Sequence, residues 1–306
     1  MCQINNCNNP LKPVRVSQED RRLFLKGMVA LPLAAIFTNI DLLHAQASKG
    51  EIVSATVNGG TVQAYLARAE NPDSPVVILI HEWWGLNDHI KAMAEEVSSK
   101  GFHALAIDLF QGSVATDRDG AMQQIRNLQE EAAHQTITHW VNWAQQNGNG
   151  KVATLGWCFG GGWSLQASLN NKLDAAVIYY GNVDITADQA AAIQCPLLGH
   201  FGTLDESINE EMVGKFQKSL RDAGKGDLLT THWYTANHAF ANPTGGRYDE
   251  DDANLAWSRT HTFLASHLRW PISPIRICFS PRRCNNTWRW KVSFFWILYI
   301  LYNKTK

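Results

Sequence analysis

Two kinds of hydrophobic pattern run along the chain. Residues 51–57 and 61–67 alternate apolar and polar positions and are joined by Asn58-Gly59-Gly60. Alternation is typical of a half-buried strand and an Asn-Gly step of a tight turn, so these stretches predict an antiparallel hairpin. Short, nearly unbroken apolar runs then predict strands buried on both faces of a parallel sheet: residues 76–80, 104–107, 152–155, 175–179, 197–201 and 228–234.

The intervals between these runs carry helical patterns, in residues 88–100, 119–146, 160–171, 207–223 and 249–267. Alternating strands and helices after an antiparallel start predict one α/β domain, with helices on both faces of a mostly parallel sheet. In such sheets ligands bind at the carboxyl ends of the strands. We therefore expect the functional residues directly after strands.

The N-terminal region differs from this body. Arg21-Arg22 is followed by the apolar run 28–37 and then by Ala45-Gln46-Ala47. This order predicts a twin-arginine-type signal peptide over residues 1–47, cleaved after Ala47. An ordinary amphipathic helix is the alternative, but its apolar residues would show helical spacing. The prediction implies recognition by the export machinery, folding in the cytoplasm and a periplasmic location in a bacterium.

The C-terminal region, residues 271–306, has three prolines, seven basic residues and no acidic one. Its apolar stretch 292–302 is too short to span a bilayer, which favours a surface-lying or disordered extension over membrane contact. The role of this extension stays open. The body is therefore expected to be a single domain over residues 48–270.

Charge and cysteine content exclude several functions for the body. Residues 48–270 carry 15 Lys and Arg against 25 Asp and Glu, and this acidic balance argues against a nucleic-acid partner. The body has two cysteines, Cys158 and Cys195, which make no disulfide framework. No CxxC or HExxH motif is present, so no metal site and no cofactor are predicted.

Gly156-Trp157-Cys158-Phe159-Gly160 lies between a predicted strand and a predicted helix. A G-x-C-x-G sequence in that place has the form of a nucleophile elbow with cysteine as the central residue. The helix N-terminus would favour a thiolate there. The alternative is that Cys158 is a small buried core residue, and this motif alone leaves both interpretations open.

Two further residues follow later strands. Asp205 comes after the strand predicted at 197–201, and His238 after the one at 228–234. The order Cys158, Asp205, His238 is that of a nucleophile, acid and histidine triad. His238 would transfer the thiol proton, and Asp205 would hold the imidazole tautomer. Taken singly, Asp205 could cap a helix and His238 could be a polar loop residue.

The loop after the first parallel strand, His81-Glu82-Trp83-Trp84-Gly85, occupies the place that supplies an oxyanion-hole N–H. We expect the N–H groups of Trp83 and Phe159 to hold the oxyanion. Trp83 and Trp84 either line an apolar substrate pocket or pack in the core. The remaining histidines, His81 among them, show no shared spacing and are interpreted as structural or solvated.

The stretches HEWWGLNDHI, IDLFQG, GWCFGGG, GTLDESI, NHAF and GGRYDEDDANLAWSRTHTFL resemble the dienelactone hydrolases, a cysteine-nucleophile branch of the α/β-hydrolases. The resemblance implies an α/β-hydrolase fold. It also implies that Glu82 contacts the resting thiol and helps to generate the thiolate when substrate binds.

The sequence departs from the family at one substrate-binding position. Four residues after the triad histidine, where the resemblance implies an arginine for a substrate carboxylate, the chain has Asn242. An amide cannot replace a bidentate guanidinium. Arg118 and Arg247 are candidate substitutes, with surface roles as the alternative for both.

The predicted activity is hydrolysis of a small-molecule ester or lactone through a cysteinyl acyl-enzyme, with a substrate other than dienelactone. A thioesterase or other acyl hydrolase is an alternative that shares the same machinery. A non-catalytic binding or redox-sensing protein that uses Cys158 as an oxidisable thiol is the alternative from another class.

Overall fold

The computed structural model describes residues 36–37 and 39–268, which belong to the first of two compact units, Met1–Pro271. The second unit, Ile272–Lys306, and with it the predicted extension, lies outside the described residues. The described chain has a sheet of eight strands: β1 (Glu51–Val57), β2 (Gly60–Ala67), β3 (Val76–Ile80), β4 (His103–Ile107), β5 (Val152–Trp157), β6 (Ala175–Tyr179), β7 (Leu197–Gly202) and β8 (Leu229–Tyr234).

The helices of this part of the chain are α1 (Ile40–Ala47), α2 (Asp88–Ser99), α3 (Arg118–Asn127), α4 (Glu130–Gln146), α5 (Phe159–Asn170), α6 (Ala187–Ala190), α7 (Glu210–Asp222) and α8 (Glu250–Leu268). A short 3₁₀ turn, Gly226–Leu228, precedes β8. None of the described helices is long and apolar enough to cross a membrane.

The strand order is β1-β2-β4-β3-β5-β6-β7-β8. β1 pairs with β2, and β2 with β4, in antiparallel fashion, whereas every other pair is parallel. β3 therefore has β4 on one side and β5 on the other, and the order along the sheet reverses there. A crevice at the carboxyl ends of the strands is expected at such a reversal.

Both faces of the sheet are covered, as the apolar runs predict. Ile78 of β3 belongs to a core on one face, with Trp140 of α4 and Phe216 of α7. Its neighbour Val77 points to the other core, with Ile90 of α2. Because successive side chains of a strand point to opposite faces, a strand packed on both sides is apolar throughout. The predicted α/β fold with an antiparallel start is confirmed.

The single helix predicted over residues 119–146 is wrong, since the structure divides it into α3 and α4. Leu128 leaves the helical conformation, with φ −63° and ψ 125°. Its side chain packs, partly buried, against the core on the α4 face of the sheet, as does that of Ile125. The helical pattern is continuous in the sequence, but Leu128 and Gln129 both have extended conformations, so the helix is interrupted between α3 and α4.

Helix α1 lies within the predicted signal peptide and packs on α2. Asn39 caps it by accepting hydrogen bonds from the N–H groups of Asp41 and Leu42, and Leu42 is fully buried. His44 Nδ1 lies 2.8 Å from a carboxylate oxygen of Asp88 at the start of α2. The twin arginine and most of the apolar run lie outside the described residues, so the signal peptide stays a prediction.

Candidate active site

Cys158 lies in the turn between β5 and α5. Its backbone has φ +54° and ψ −115°, a region that L-residues rarely occupy and that costs about 1–3 kcal/mol. The Cys158 N–H donates to the Tyr179 carbonyl at 2.9 Å, which ties the turn to the end of β6. This strained turn leaves the side chain half-buried at the carboxyl edge of the sheet.

The glycines beside Cys158 allow the backbones to approach closely. A Cβ on Gly160 would lie 2.1 Å from the Ile80 carbonyl oxygen and 2.5 Å from that of His81. A Cβ on Gly156 would lie 1.9 Å from the Gly160 carbonyl oxygen. Only glycine fits at these two positions, so the first turn of α5 lies directly against the end of β3.

The structure brings Cys158, His238 and Asp205 together in a chain of contacts. His238 Nε2 lies 3.1 Å from the Cys158 Sγ, and His238 Nδ1 lies 2.6 Å from Oδ2 of Asp205. The other Asp205 oxygen accepts the N–H groups of Ser207 and Ile208 at 2.9 and 3.0 Å. Asn209 caps the next helix, α7, so the alternative role of Asp205 as a helix cap is wrong. Its carboxylate instead accepts from the loop before that helix and contacts the imidazole of His238.

These contacts decide how the acid and the histidine ionise. Burial disfavours the charged form of Asp205, but its hydrogen bond to His238 and the backbone N–H donors outweigh burial and lower its pKa. Burial likewise opposes the charge on His238, whereas its bonds to Asp205 and Cys158 favour that charge and raise its pKa. The contacts with Asp205 and Cys158 therefore favour a proton on His238, which lets the imidazole take the proton of the thiol.

Glu82 is a second buried carboxyl group of the site, with 3% of its surface exposed, as for Asp205. Asn242 donates a short hydrogen bond from Nδ2 to Glu82 Oε2. Burial raises the pKa of Glu82 to about 7. The charges of His238 and Arg247 and the hydrogen bond from Asn242 favour the ionised form and so oppose this increase. Asn242 is thus a partner of Glu82, at the position where the family resemblance implies an arginine.

The remaining predicted binding residues are placed differently. Arg247 is half-buried, and its charge acts on Glu82, whereas Arg118 is the exposed first residue of α3. Trp83 and Trp84 are both half-buried, with ring centroids 5.0 Å apart. The structure therefore brings Arg247 close to the buried carboxyl group of the site and leaves Arg118 on the surface.

Tyr180 is a site residue that the sequence reasoning missed. It is fully buried, has φ +36°, and its ring centroid lies 5.2 Å from that of His238. Burial, together with the charges of Glu82 and Cys158, raises its pKa well above the usual value. The feature of the sequence that could have identified Tyr180 is its position directly after β6, at the same edge of the sheet as Cys158.

A cavity of about 500 Å³ lies apart from these residues, bordered by β2, the loop after β4, α3 and α4. Its polar lining is mostly amide and hydroxyl groups, and neither Cys158 nor His238 reaches it. Within residues 36–37 and 39–268, no group of three His, Cys, Asp or Glu side chains is placed to hold a metal ion.

A mostly parallel sheet with an antiparallel start, covered by helices and carrying a sharp strand-to-helix turn after β5, defines an α/β-hydrolase fold. The family model "Dienelactone hydrolase family" matches residues 62–268, which is more than half of the chain. The chain belongs to the dienelactone hydrolase family.

Relatives of known sequence and structure agree with this assignment. Carboxymethylenebutenolidase 1 of Cupriavidus pinatubonensis is 26% identical over 220 residues, which cover 68% of this chain and 93% of that protein. A solved dienelactone hydrolase homologue from Klebsiella pneumoniae is 26% identical with a TM-score of 0.63, covering 70% of this chain and 99% of that one. The fold is shared by the dienelactone hydrolase-like promiscuous phosphotriesterase P91. Its solved structure is 22% identical with a TM-score of 0.63, covering 72% of this chain and 100% of that one.

Proposed function

We propose that this protein is a cysteine-dependent hydrolase of carboxylic esters or lactones. The observation that carries the proposal is the chain of contacts from Cys158 Sγ to His238 Nε2 at 3.1 Å and from His238 Nδ1 to Asp205 at 2.6 Å. A thiol, an imidazole and an orienting carboxylate in hydrogen-bond contact are the parts that covalent acyl transfer requires.

In the first half of the reaction, His238 takes the proton of the Cys158 thiol, and the sulfur attacks the carbonyl carbon of the substrate. The carbonyl oxygen becomes an oxyanion, which the N–H groups of Trp83 and Phe159 stabilise. The intermediate collapses as the bond to the leaving oxygen breaks, and His238 gives its proton to that oxygen. The products of this half are an alcohol, or the free hydroxyl end of an opened lactone, and a thioester on Cys158.

In the second half, His238 removes a proton from water, and the resulting hydroxide attacks the thioester. A second oxyanion forms in the same place and collapses, expelling the Cys158 sulfur, which recovers its proton from His238. Asp205 stabilises the imidazolium in both halves, because its lowered pKa keeps it ionised. Every bond change in this scheme is made by the chain, the ester and water, so no cofactor is invoked.

Glu82 is proposed to assist the thiol in this cycle. Its pKa of about 7 lets it exchange a proton near neutral pH, and the charge of His238 acts on it. Binding of substrate would change the ionisation of this carboxyl group and so couple binding to activation of Cys158, which is the role that the family resemblance implies.

The substrate is proposed to differ from that of the relatives named carboxymethylenebutenolidase. Asn242 already donates to Glu82, so its amide is engaged within the protein. Arg247, whose charge acts on Glu82, is the cation that a substrate carboxylate could approach. An ester or lactone with an uncharged acyl group, with Trp83 and Trp84 beside it, fits this arrangement best.

The test is turnover of a panel of p-nitrophenyl esters, γ-lactones and acyl thioesters by the wild type, Cys158→Ala and Cys195→Ala. Cys195 is the matched control, since it is the other free cysteine of the described chain and is 2% exposed. We expect Cys158→Ala to abolish hydrolysis and Cys195→Ala to retain it. Intact mass spectrometry of the wild type should show an acyl adduct on Cys158.

The panel also separates the alternatives. Preference for thioesters over oxygen esters would favour the thioesterase function. Unchanged turnover by a folded Cys158→Ala variant would overturn the proposal and leave a binding or redox role for this thiol.

The export of the protein is a second, independent proposal. We propose that residues 1–47 direct the folded chain through a twin-arginine route to the periplasm, with cleavage after Ala47. N-terminal sequencing of protein from the periplasmic fraction should begin at Ser48. An intact N-terminus there, or an unchanged distribution after Arg21→Lys and Arg22→Lys together, would contradict it.

A further inference from the structure

His81 is a buried histidine that the chemistry described above does not use. It is the first residue after β3 and has no exposed surface. Its ring packs against two phenylalanines that also contact each other, with centroid distances of 4.8 Å from His81 to Phe110, 5.9 Å from His81 to Phe159 and 5.2 Å between the two phenylalanines. The Phe159 ring is nearly parallel to it, at 14°. His81 therefore contacts the residue that carries one of the two proposed oxyanion donors.

The hydrogen bonds of the ring determine its tautomer. The Leu109 N–H points to His81 Nε2 at 3.1 Å, and His81 Nδ1 lies 2.6 Å from the Glu82 carbonyl oxygen. A backbone N–H can only donate, so Nε2 has no proton, and a carbonyl can only accept, so Nδ1 carries one. The neutral Nδ1–H form satisfies both partners.

The acceptor of this bond belongs to the peptide group that contains the Trp83 N–H. The peptide is planar and trans, so the direction of the Glu82 carbonyl determines the opposite direction of the Trp83 N–H. Gly85 N–H also donates to the Glu82 carbonyl, at 3.2 Å. The two donors to the Glu82 carbonyl, His81 Nδ1–H and Gly85 N–H, therefore fix the direction of the Trp83 N–H from the opposite side of the peptide group.

The next two carbonyls of the loop are held in the same manner. Gln124 Nε2 donates to the Trp83 carbonyl at 3.0 Å, and Ala115 N–H donates to that of Trp84 at 2.9 Å. Three successive carbonyls thus have donors outside the reacting space. An oxyanion hole is effective when its donors are oriented before the charge develops, because no reorganisation is then needed.

We propose that His81 is a positioning residue that orients the Trp83 N–H toward the substrate oxyanion. Through its stacking on Phe159, His81 also keeps the two oxyanion donors at a fixed distance and direction relative to each other. This inference rests on the proposed function. It assigns no proton transfer to His81, which stays in its neutral form throughout.

The test compares three substitutions at two histidines. His81→Phe keeps a ring against the two phenylalanines but removes both hydrogen bonds, whereas His81→Gln retains one donor and one acceptor. His103→Phe is the matched control: His103 is 3% exposed, accepts the Ala69 N–H at 3.1 Å and bonds the Pro72 carbonyl at 2.9 Å. It begins β4, at the end of the parallel strands opposite to the site.

Two readouts are measured for each variant: kcat and KM for a p-nitrophenyl ester, and the rate at which iodoacetamide alkylates Cys158. Alkylation uses the same thiolate but forms no oxyanion. We expect His81→Phe to lower kcat about 10- to 100-fold, part of the loss that follows removal of an oxyanion donor. KM and the alkylation rate should stay within about twofold, since oxyanion donors act on the charge that develops in the transition state and not on the bound substrate.

His81→Gln should recover most of kcat, and His103→Phe should lose thermal stability with kcat unchanged. Unchanged kcat in a folded His81→Phe variant, or an equal loss in His103→Phe, would overturn the inference, as would a parallel fall in alkylation. Should His81→Phe not fold, His81→Leu, which also removes both hydrogen bonds, takes its place. Activity that survives Cys158→Ala would instead mean that the proposed function itself is wrong.

Discussion

Replacing Glu82 with glutamine should remove a pH dependence of stability that the buried carboxyl group creates. Glu82 is 3% exposed, and burial raises its pKa to about 7 from an ordinary 4.5. Glutamine has the shape of the protonated acid and keeps an oxygen that can accept from Asn242. The substitution therefore removes the ionisation of Glu82 while it preserves the packing and the hydrogen bond.

The sign and size of the effect follow from the two pKa values. A carboxyl group whose pKa is higher in the folded than in the unfolded state favours folding below pH 4.5, and this contribution is lost as the pH rises through about 7. Between pH 5 and pH 8 the wild type should lose about 2.5 kcal/mol of unfolding free energy relative to Glu82→Gln. Groups that do not interact with Glu82 titrate equally in both proteins and cancel in this difference.

The assay is urea denaturation of both proteins at pH 5 and pH 8, followed by tryptophan fluorescence. Glu70→Gln, at an exposed position, is the control, and its difference from the wild type should stay within about 0.5 kcal/mol at both pH values. A wild-type and Glu82→Gln difference that is the same at pH 5 and pH 8 would refute the reasoning. It would mean that Glu82 ionises as freely in the folded protein as in the unfolded chain.

Three further predictions concern the neighbourhood of the site. Gly160→Ala should destabilise the fold by more than about 3 kcal/mol in urea denaturation, because the added Cβ would lie 2.1 Å from a backbone oxygen of β3. Gly214→Ala is the control: the added Cβ has nothing within 4 Å, and the substitution should stabilise α7 by up to about 1 kcal/mol. Asp205→Asn should lower kcat by about a thousandfold or more, since the imidazole loses its orienting charge. Because the pKa of Asp205 is lowered in the folded protein, its ionised carboxylate stabilises the fold above the pKa of the unfolded state, and this stabilisation is lost as the pH falls. The melting temperature of the Asn variant should therefore lack this loss in acid. Asn242→Leu removes the donor to Glu82 and should extend the stability loss of Glu82 to higher pH; an unshifted curve would count against the Asn242 contact.

Much of the fold could be predicted because it depends on local patterns. The runs 76–80 and 175–179 coincide with β3 and β6, since a strand buried on both faces must be apolar at every position. The division between α3 and α4 could not be predicted, because the helical pattern of residues 119–146 continues across it. A helical hydrophobic pattern shows which face of a helix is buried, but it does not show where the surface that covers this face ends.

The three residues of the predicted triad share one property, their position after strands. Cys158, Asp205 and His238 could be proposed because the carboxyl ends of parallel strands meet at one edge. Their separations, the burial of Glu82 and the contact of Glu82 with Asn242 could not, because these depend on how loops from different strands pack together. The same limit applies to His81 and Tyr180, whose residue types are equally compatible with an ordinary core.

The sequence by itself determined the order of the strands along the chain, the glycines that permit the turn at Cys158, and the position of the triad residues at the carboxyl edge. These properties depend on the conformations and polarity of neighbouring residues, which a linear pattern expresses directly. Only the tertiary structure decided which side chains touch, which carboxyl group is removed from water and which histidine holds a peptide in place. Hydrogen bonds act over about 3 Å and burial depends on every surrounding element, so both follow from the packed chain as a whole.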